Sequence, residues 1–181
     1  MGVAENPGTG KARARKIEKK TSTMRKPYHF VGSGLPNVYL VGVEYEVDRE
    51  TLEQRAAIPR LPDLLTWIAV TLLSKDAPLT GDELRFLRKR VGKSSKDFAQ
   101  LLGLTSEQYS RMENGVVTIT HSNDKLARLL VVTLSVAEAL KKPELMERVA
   151  NQTWTSHVGP DQRIIARVDG VRGWTVETKA A

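Results

Sequence analysis

The sequence predicts an α+β fold, in which a small N-terminal β module is followed by a connecting helix, an all-α bundle and a C-terminal β-hairpin. Apolar residues mostly alternate along residues 38–47, as in a strand with one buried face. Residues 79–130 have the pattern of four short helices, each with its own start signal. Residues 163–168 and 173–177 flank a turn sequence in the way two hairpin strands would.

The chain divides into five predicted segments. Its 181 residues are 40% hydrophobic and contain no long apolar run, so we expect a soluble chain of one or two small domains. The segments are a disordered basic arm at 1–26, a β-rich module at 27–57, a connecting helix at 58–78, the helical bundle at 79–142 and a C-terminal helix and β-hairpin appendage at 143–181.

The β module should contain a hairpin or small sheet. Gly32-Ser33-Gly34 and Pro36-Asn37 mark its turns, and strands are expected near residues 28–32 and 38–47. His29 is interpreted as a surface or hairpin residue, with a metal ligand as the alternative.

The connecting helix is apolar over most of its circumference. Pro62 suits its first turn, and most of the following residues up to Leu73 are apolar. Such a helix must be buried on more than one side, so it either ties the β module to the bundle or forms half of a dimer contact. It is too short and too interrupted to span a membrane.

The bundle opens and closes with two well-marked helices. Thr80 and Glu83 can cap each other's backbone N–H groups at the start of a helix that runs to about residue 91. Apolar residues repeat at intervals of three and four from Leu126 to Leu140, which predicts a last amphipathic helix that ends before Pro143.

A tight turn at Gly103 joins the middle pair of helices. Ser94 or Ser95 offers the oxygen that caps the first of the pair, and Gly103 ends it after barely two turns. The next helix should run from Ser106 to about Glu113. Two helices joined by so short a turn form the pattern of a DNA-reading unit.

The second helix of that pair presents one polar face. Thr105 and Gln108 form a capping-box pattern at its start, and Asn114-Gly115 ends it in a left-handed turn. Tyr109 and Met112, three residues apart, can face the core. The other side chains are left for the flank and the open face.

This segment resembles the Cro and lambda-repressor-like (XRE-type) class of helix-turn-helix domains. That class often ends its third helix with Glu-Asn-Gly, and Arg111-Met-Glu-Asn-Gly115 matches this ending. The opening of the second helix departs from the class, because Ser95 stands where a glutamine usually braces the phosphate backbone and the recognition helix. The resemblance implies a lambda-repressor-like bundle at residues 79–142.

The resemblance also implies DNA-contacting residues, since the third helix of that class lies in the major groove. Glutamine can pair with adenine, arginine with guanine, and glutamate can accept from cytosine, each discriminating by roughly 1–3 kcal/mol. The expected base contacts are Ser106, Glu107, Gln108 and Arg111. The expected backbone contacts are Lys93, Ser94, Ser95, Lys96, Thr105, Asn114, Thr118 and Thr120.

Basic residues are concentrated in two places. Residues 1–26 hold eight basic side chains and two glutamates, which is +6 of the net +7. This arm either lies along DNA phosphates or in the minor groove, or is a disordered or solubilising start. A further alternative is a misannotated start, with translation beginning at Met24. A second cluster should meet the DNA backbone at the end of the first bundle helix and the start of the second, although part of it is only a solvated helix face. It comprises Arg85, Arg88, Lys89, Arg90, Lys93 and Lys96.

A second resemblance lies upstream, in the stretch YHFVGSGLPNVYLVGVEY at residues 28–45. It looks like the N-terminal region of MqsA-type antitoxins and regulators, and the two resemblances together cover about residues 28–140. Better-known members of that family hold zinc with two Cys-x-x-Cys pairs. This chain contains no cysteine, which excludes a tetrahedral thiolate zinc site, and we expect no metal or cofactor.

The sequence predicts the structure of the C-terminal segment less clearly. Residues 144–152 look helical, and Asp169-Gly-Val-Arg-Gly173 lies between the two hairpin strands. The segment is either a dimerisation or ligand-sensing appendage or a strand pair that completes the N-terminal sheet.

These patterns together predict a sequence-specific double-stranded DNA-binding regulator, a dimeric autorepressor that binds an inverted-repeat operator. The MqsA resemblance implies an antitoxin whose N-terminal module engages a toxin. The alternative is a protein-interaction or ligand-sensing module that uses its helix-turn-helix mainly for dimerisation. No enzyme is expected, since nucleophile and phosphate-loop motifs are missing, and the lack of cysteine and of a secretory signal favours the cytoplasm.

Overall fold

The computed structural model describes residues 22–23, 26–47, 54–153, 162–170 and 173–180. Its helices are α1 Leu61–Leu73, α2 Gly81–Arg90, α3 Ser95–Leu101, α4 Ser106–Glu113, α5 His121–Leu134 and α6 Pro143–Asn151. Its strands are β1 Ser22–Thr23, β2 Tyr28–His29, β3 Val38–Val41, β4 Glu44–Val47, β5 Gln54–Ala57, β6 Gln162–Asp169 and β7 Gly173–Ala180. The α+β class is confirmed. Apart from β1 and Lys26, the predicted basic arm lies outside the described residues.

The C-terminal hairpin completes a sheet begun at the N-terminus. Strands β2, β3, β6 and β7 form one sheet in that order, with β3 and β6 parallel and the other two pairs antiparallel. Leu40 lies opposite Ala166 in the β3–β6 register, and both are fully buried. Of the two interpretations of the C-terminal segment, the strand pair that completes the N-terminal sheet is therefore the one observed.

The strand predicted over residues 38–47 is wrong as a single element. It ends at Gly42, whose φ of +82° turns the chain, and the following strand β4 enters a second sheet with the order β1-β4-β5. A side chain at Gly42 would also crowd the Val168 carbonyl, 3.2 Å from the Cβ position. The strand expected near 28–32 is likewise only β2, because a 3₁₀ turn at Val31–Ser33 ends it.

Helix α1 joins the sheet to the helical bundle. Its buried side, which includes Leu64, Ile68 and Leu72, packs against β7 and β6 and also contacts α2 and α6. The Trp174 indole of β7 donates a hydrogen bond of 2.8 Å to the carbonyl of Pro59, just before the helix. The intramolecular role predicted for this helix is observed, although its Trp67 remains 40% exposed.

A fully buried arginine connects α1, α5 and α6. The Arg128 guanidinium pairs with Asp124 at 2.6 Å, and both side chains are 0% exposed. It also donates to Gln152 Oε1 at 3.0 Å, and Asp124 accepts the Leu79 N–H at 2.6 Å. It further donates to the main-chain carbonyls of Leu72, Leu73, Lys75 and Ala77. The charge is thus satisfied entirely inside the fold.

The last helix of the bundle is shorter than predicted. Helix α5 ends at Leu134, because Ser135 adopts an extended conformation and its hydroxyl accepts the Ala137 N–H at 3.1 Å. A 3₁₀ turn at Glu138–Leu140 follows. Leu140 still reaches the core at 2% exposure, which explains why the apolar repeat continues past the true end of the helix.

Candidate nucleic-acid interface

Local capping sets the α3–turn–α4 unit. The Ser94 hydroxyl accepts the Asp97 N–H at 3.1 Å and starts α3, and Gly103, with φ +69°, makes the turn. Thr105 and Gln108 then form the predicted capping box at the start of α4. The Phe98 and Tyr109 rings pack with centroids 5.7 Å apart, which fixes the two helices against each other. The predicted bounds of α4 are observed to the residue.

A buried carboxylate anchors the far end of α4 to α2. Glu113 is only 6% exposed, and its carboxylate accepts hydrogen bonds from Arg88 Nε at 2.7 Å and Nη2 at 3.2 Å. The hydrogen bond with Glu113 raises the pKa of Arg88 above its ordinary value. Arg85 Nη2 donates to the Glu113 carbonyl at 2.9 Å and to Asn114 Oδ1 at 2.8 Å. Arg85 and Arg88 therefore support α4 from behind.

This anchoring corrects the interpretation of the second basic cluster. The sequence assigned this cluster to the DNA backbone, with part of it as a solvated helix face, but Arg85 and Arg88 bind residues of α4 and the turn after it. Glu113 is the residue that sequence reasoning missed. An acidic side chain in the last turn of a helix is unfavourable by itself, and that local conflict was the available signal for a buried cationic partner.

The start of α2 also touches the end of α4. A Cβ atom placed on Gly81 would lie 2.6 Å from the carbonyl oxygen of Met112, so only glycine allows this approach. Tyr109 is buried against Phe98 of α3, and burial followed by the neighbouring Glu113 carboxylate raises its pKa well above the ordinary range. Tyr109 therefore stays neutral, and α4 is held rigidly on its inner side.

The opposite side of α4 is open. All four predicted base-contacting residues, Ser106, Glu107, Gln108 and Arg111, are exposed, whereas Tyr109, Met112 and Glu113 are buried. The structure therefore brings the four onto the outer surface of one short helix. The Arg111 side chain forms no hydrogen bond or ion pair with any described residue.

Gln108 has two roles that compete. Its Oε1 accepts the Thr105 N–H at 2.9 Å as part of the capping box. A bidentate pair with adenine needs both the oxygen and the nitrogen of the side-chain amide. The two sequence-based expectations for this residue, cap and base contact, therefore exclude each other, because a bidentate pair with adenine requires the amide to release the Thr105 N–H.

The predicted backbone contacts surround α4 but differ in exposure and in whether they already accept a main-chain hydrogen bond. Lys96, Asn114 and Thr118 are exposed, whereas Lys93 and Ser95 are half-buried. Ser94, Thr105 and Thr120 are exposed, and each accepts a main-chain N–H as an N-cap. Their hydroxyls can therefore reach phosphate only while capping a helix.

Asp97 lies beside one of these caps. It accepts a 2.7 Å hydrogen bond from the Ser94 hydroxyl and is exposed in the first turn of α3. A carboxylate here repels phosphate, which weakens the case for Ser94 as a backbone contact. Sequence reasoning did not consider this residue.

Residues 80–140, about a third of the chain, match the family model of a helix-turn-helix domain. The matched segment runs from the start of α2 to the 3₁₀ turn after α5, and over it the chain is similar to helix-turn-helix domains. No curated protein and no solved structure matches the chain. The family match begins at Thr80 and does not include residues 28–45, so the MqsA resemblance stays a prediction.

Neither a metal site nor a membrane segment is found in the described ranges. No group of three or more His, Cys, Asp or Glu side chains there could hold a metal ion, and none of the described helices is long and apolar enough to cross a membrane. His29 stacks on Tyr39 with ring centroids 4.9 Å apart, and its Nε2 lies 2.8 Å from the Pro36 carbonyl oxygen. It is a hairpin residue.

Proposed function

We propose that the chain is a sequence-specific double-stranded DNA-binding regulator that reads bases with the open face of α4. The observation that supports this most is the contrast between the two sides of that helix. Its inner side is fixed to α2 through Glu113, and its outer side exposes polar residues of base-reading types. A preorganised helix loses little conformational freedom on binding, so its contacts contribute to affinity.

Arg111 is the proposed principal base contact. Its exposed guanidinium forms no hydrogen bond or ion pair with a described residue. Arginine pairs with both acceptors of guanine in the major groove. Glu107 adds selectivity, because a carboxylate in the groove accepts from cytosine and repels nearby phosphates. Lys96, at the exposed start of α3, provides a phosphate contact that is independent of sequence.

The regulator acts as a dimeric repressor on an inverted repeat in this proposal. An eight-residue helix such as α4 reaches only a few base pairs, so one copy of the protein can recognise only a short DNA sequence. Two copies related by a two-fold axis place two such helices about one turn of DNA apart and double the site. An operator near its own gene would make the chain an autorepressor. The antitoxin role stays a prediction, because it rests on the upstream resemblance alone.

The test compares three proteins on two DNAs. Full-length wild type, Arg111→Ala and Arg167→Ala are titrated by fluorescence anisotropy against duplex from the upstream region of their gene and against random duplex. Both variants lose one positive charge, but Arg167 lies on β6 in an exposed pair with Glu177. We expect Arg111→Ala to weaken binding to the upstream duplex by about 1–3 kcal/mol, or roughly 5–150-fold, and Arg167→Ala to change it little.

Equal affinity of wild type for the two duplexes would refute sequence-specific reading. It would favour the interaction-module alternative, in which the helix-turn-helix serves dimerisation. Circular dichroism of Arg111→Ala should match that of wild type, because the side chain is exposed and makes no contact that the fold needs.

A further inference from the structure

A cavity of about 540 Å³ lies between the four-stranded sheet, the end of α1 and the segment that joins α4 to α5. Its apolar walls include Leu72 and Leu79 on the α1 side, Met112 and Val117 around the end of α4, and Ile164 on β6. The volume falls within the range of sites that bury drug-sized small molecules. Neither the helix-turn-helix match nor the proposed DNA-reading face accounts for this space.

The cavity lies where two parts of the fold meet without packing closely. The sheet packs on the helical unit mainly through α1. Beside that contact, Ile164 and Thr178 of the sheet face the α4–α5 segment across the cavity. A molecule bound there would touch the sheet and the end of the DNA-reading helix at the same time.

The charges in the cavity wall compensate each other. Lys75 Nζ donates to both carboxylate oxygens of Glu83, at 2.9 and 2.6 Å, and the same carboxylate accepts the Thr80 N–H at 2.8 Å. His121 is the other titratable residue among the described residues that line the cavity. An ionised ligand would lose its hydrating water in the cavity, and the wall has no excess of opposite charge to offset that cost. An uncharged apolar ligand needs no such compensating charge.

We propose that this cavity binds an uncharged, largely apolar small molecule, which acts as an effector bridging the sheet and the α4–α5 segment. The ligand contacts Met112 and Thr118, which lie on either side of the turn at Gly115. A ligand in the cavity therefore restricts the motion of the segment that carries Thr118, a predicted phosphate contact. The regulatory consequence rests on the proposed function, whereas binding of the ligand does not.

The test uses Nile red, an uncharged dye whose emission rises when it leaves water, titrated into the full chain. Thr178 opposes Ile164 in the β6–β7 register and lines the cavity, so Thr178→Phe should fill it. The matched control is Thr175→Phe, an exposed residue of the same edge strand that points to the other face of the sheet. We expect saturable binding by wild type and control, and at least tenfold weaker binding by Thr178→Phe.

Hydrogen exchange supplies a second readout that does not depend on DNA. Saturating Nile red should slow amide exchange in residues 112–121 and leave α3 unchanged. Binding that does not saturate, equal binding by the two phenylalanine variants, or slowing that is absent from 112–121 would overturn the proposal. A wild type that binds Nile red as expected but no DNA would refute the proposed function and leave the ligand site established.

Discussion

Replacing Arg128 by methionine tests the buried network that joins α1, α5 and α6. Methionine keeps much of the length of the side chain but leaves the Asp124 carboxylate, itself 0% exposed, without its cationic partner. Removing one member of a buried ion pair typically costs about 3–5 kcal/mol. The main-chain carbonyls that lose their donor add to this cost wherever water cannot reach them. We therefore expect Arg128→Met to lose at least about 3 kcal/mol.

Urea unfolding followed by far-UV circular dichroism measures this loss. With a slope of about 2 kcal/mol per molar urea, a loss of 3–5 kcal/mol lowers the midpoint by roughly 1.5–2.5 M. A protein at the low end of the usual range, stable by about 5 kcal/mol, would then be close to unfolding. The control is Arg148→Met, because Arg148 is 57% exposed and its removal should change stability by no more than about 0.5 kcal/mol.

A double variant separates the charge from the packing. Arg128→Met combined with Asp124→Asn removes both charges and leaves an amide oxygen to accept the Leu79 N–H, which Asp124 accepts at 2.6 Å in wild type. The double variant should be more stable than Arg128→Met alone, because no unpaired charge remains buried. A loss below about 1 kcal/mol for Arg128→Met would refute the reasoning, since the guanidinium would then contribute no more than an ordinary surface contact.

Two further predictions concern the support and the surface of the DNA-reading unit. Gly81→Ala should destabilise the protein by about 1–3 kcal/mol in thermal unfolding, because its Cβ would press on the Met112 carbonyl. Gly170→Ala, which meets nothing within 4 Å, should cost far less, and equal losses would contradict the close approach. Lys96→Ala should reduce the log–log salt slope of DNA binding by about 0.9, equally for specific and random duplex. An unchanged slope would remove Lys96 from the phosphate contacts.

The helices around the DNA-reading face could be predicted because local signals fix their ends. The capping boxes at Thr80 and Thr105 each act within one turn of chain, and both are present in the structure. The turn at Gly103 likewise depends on the left-handed conformation of a single residue. Signals of this kind need no knowledge of distant contacts, which explains why α2, α3 and α4 have the expected bounds.

Most of the features that the sequence did not predict depend on distant residues. An arginine on a helix surface looks the same in sequence whether it meets phosphate or a buried carboxylate, and Arg88 meets Glu113 twenty-five residues away. The pairing of β3 with β6 could be offered only as one alternative, because its partners lie more than a hundred residues apart. The end of α5 was missed because the apolar repeat continues to Leu140 through a non-helical connection.

The segment that matches the helix-turn-helix model does not contain all the residues that bind the Arg128 guanidinium. The match covers residues 80–140, but the acceptors of Arg128 on α1, on the segment after α1 and at Gln152 all lie outside it. A fragment limited to the match would take these acceptors away from the guanidinium, which is unfavourable wherever water cannot replace them. The stability of the segment that matches the helix-turn-helix model therefore depends on α1 and on Gln152, which follows α6. Helix α1 also packs against β6 and β7, so the same helix supports the four-stranded sheet and supplies acceptors to Arg128.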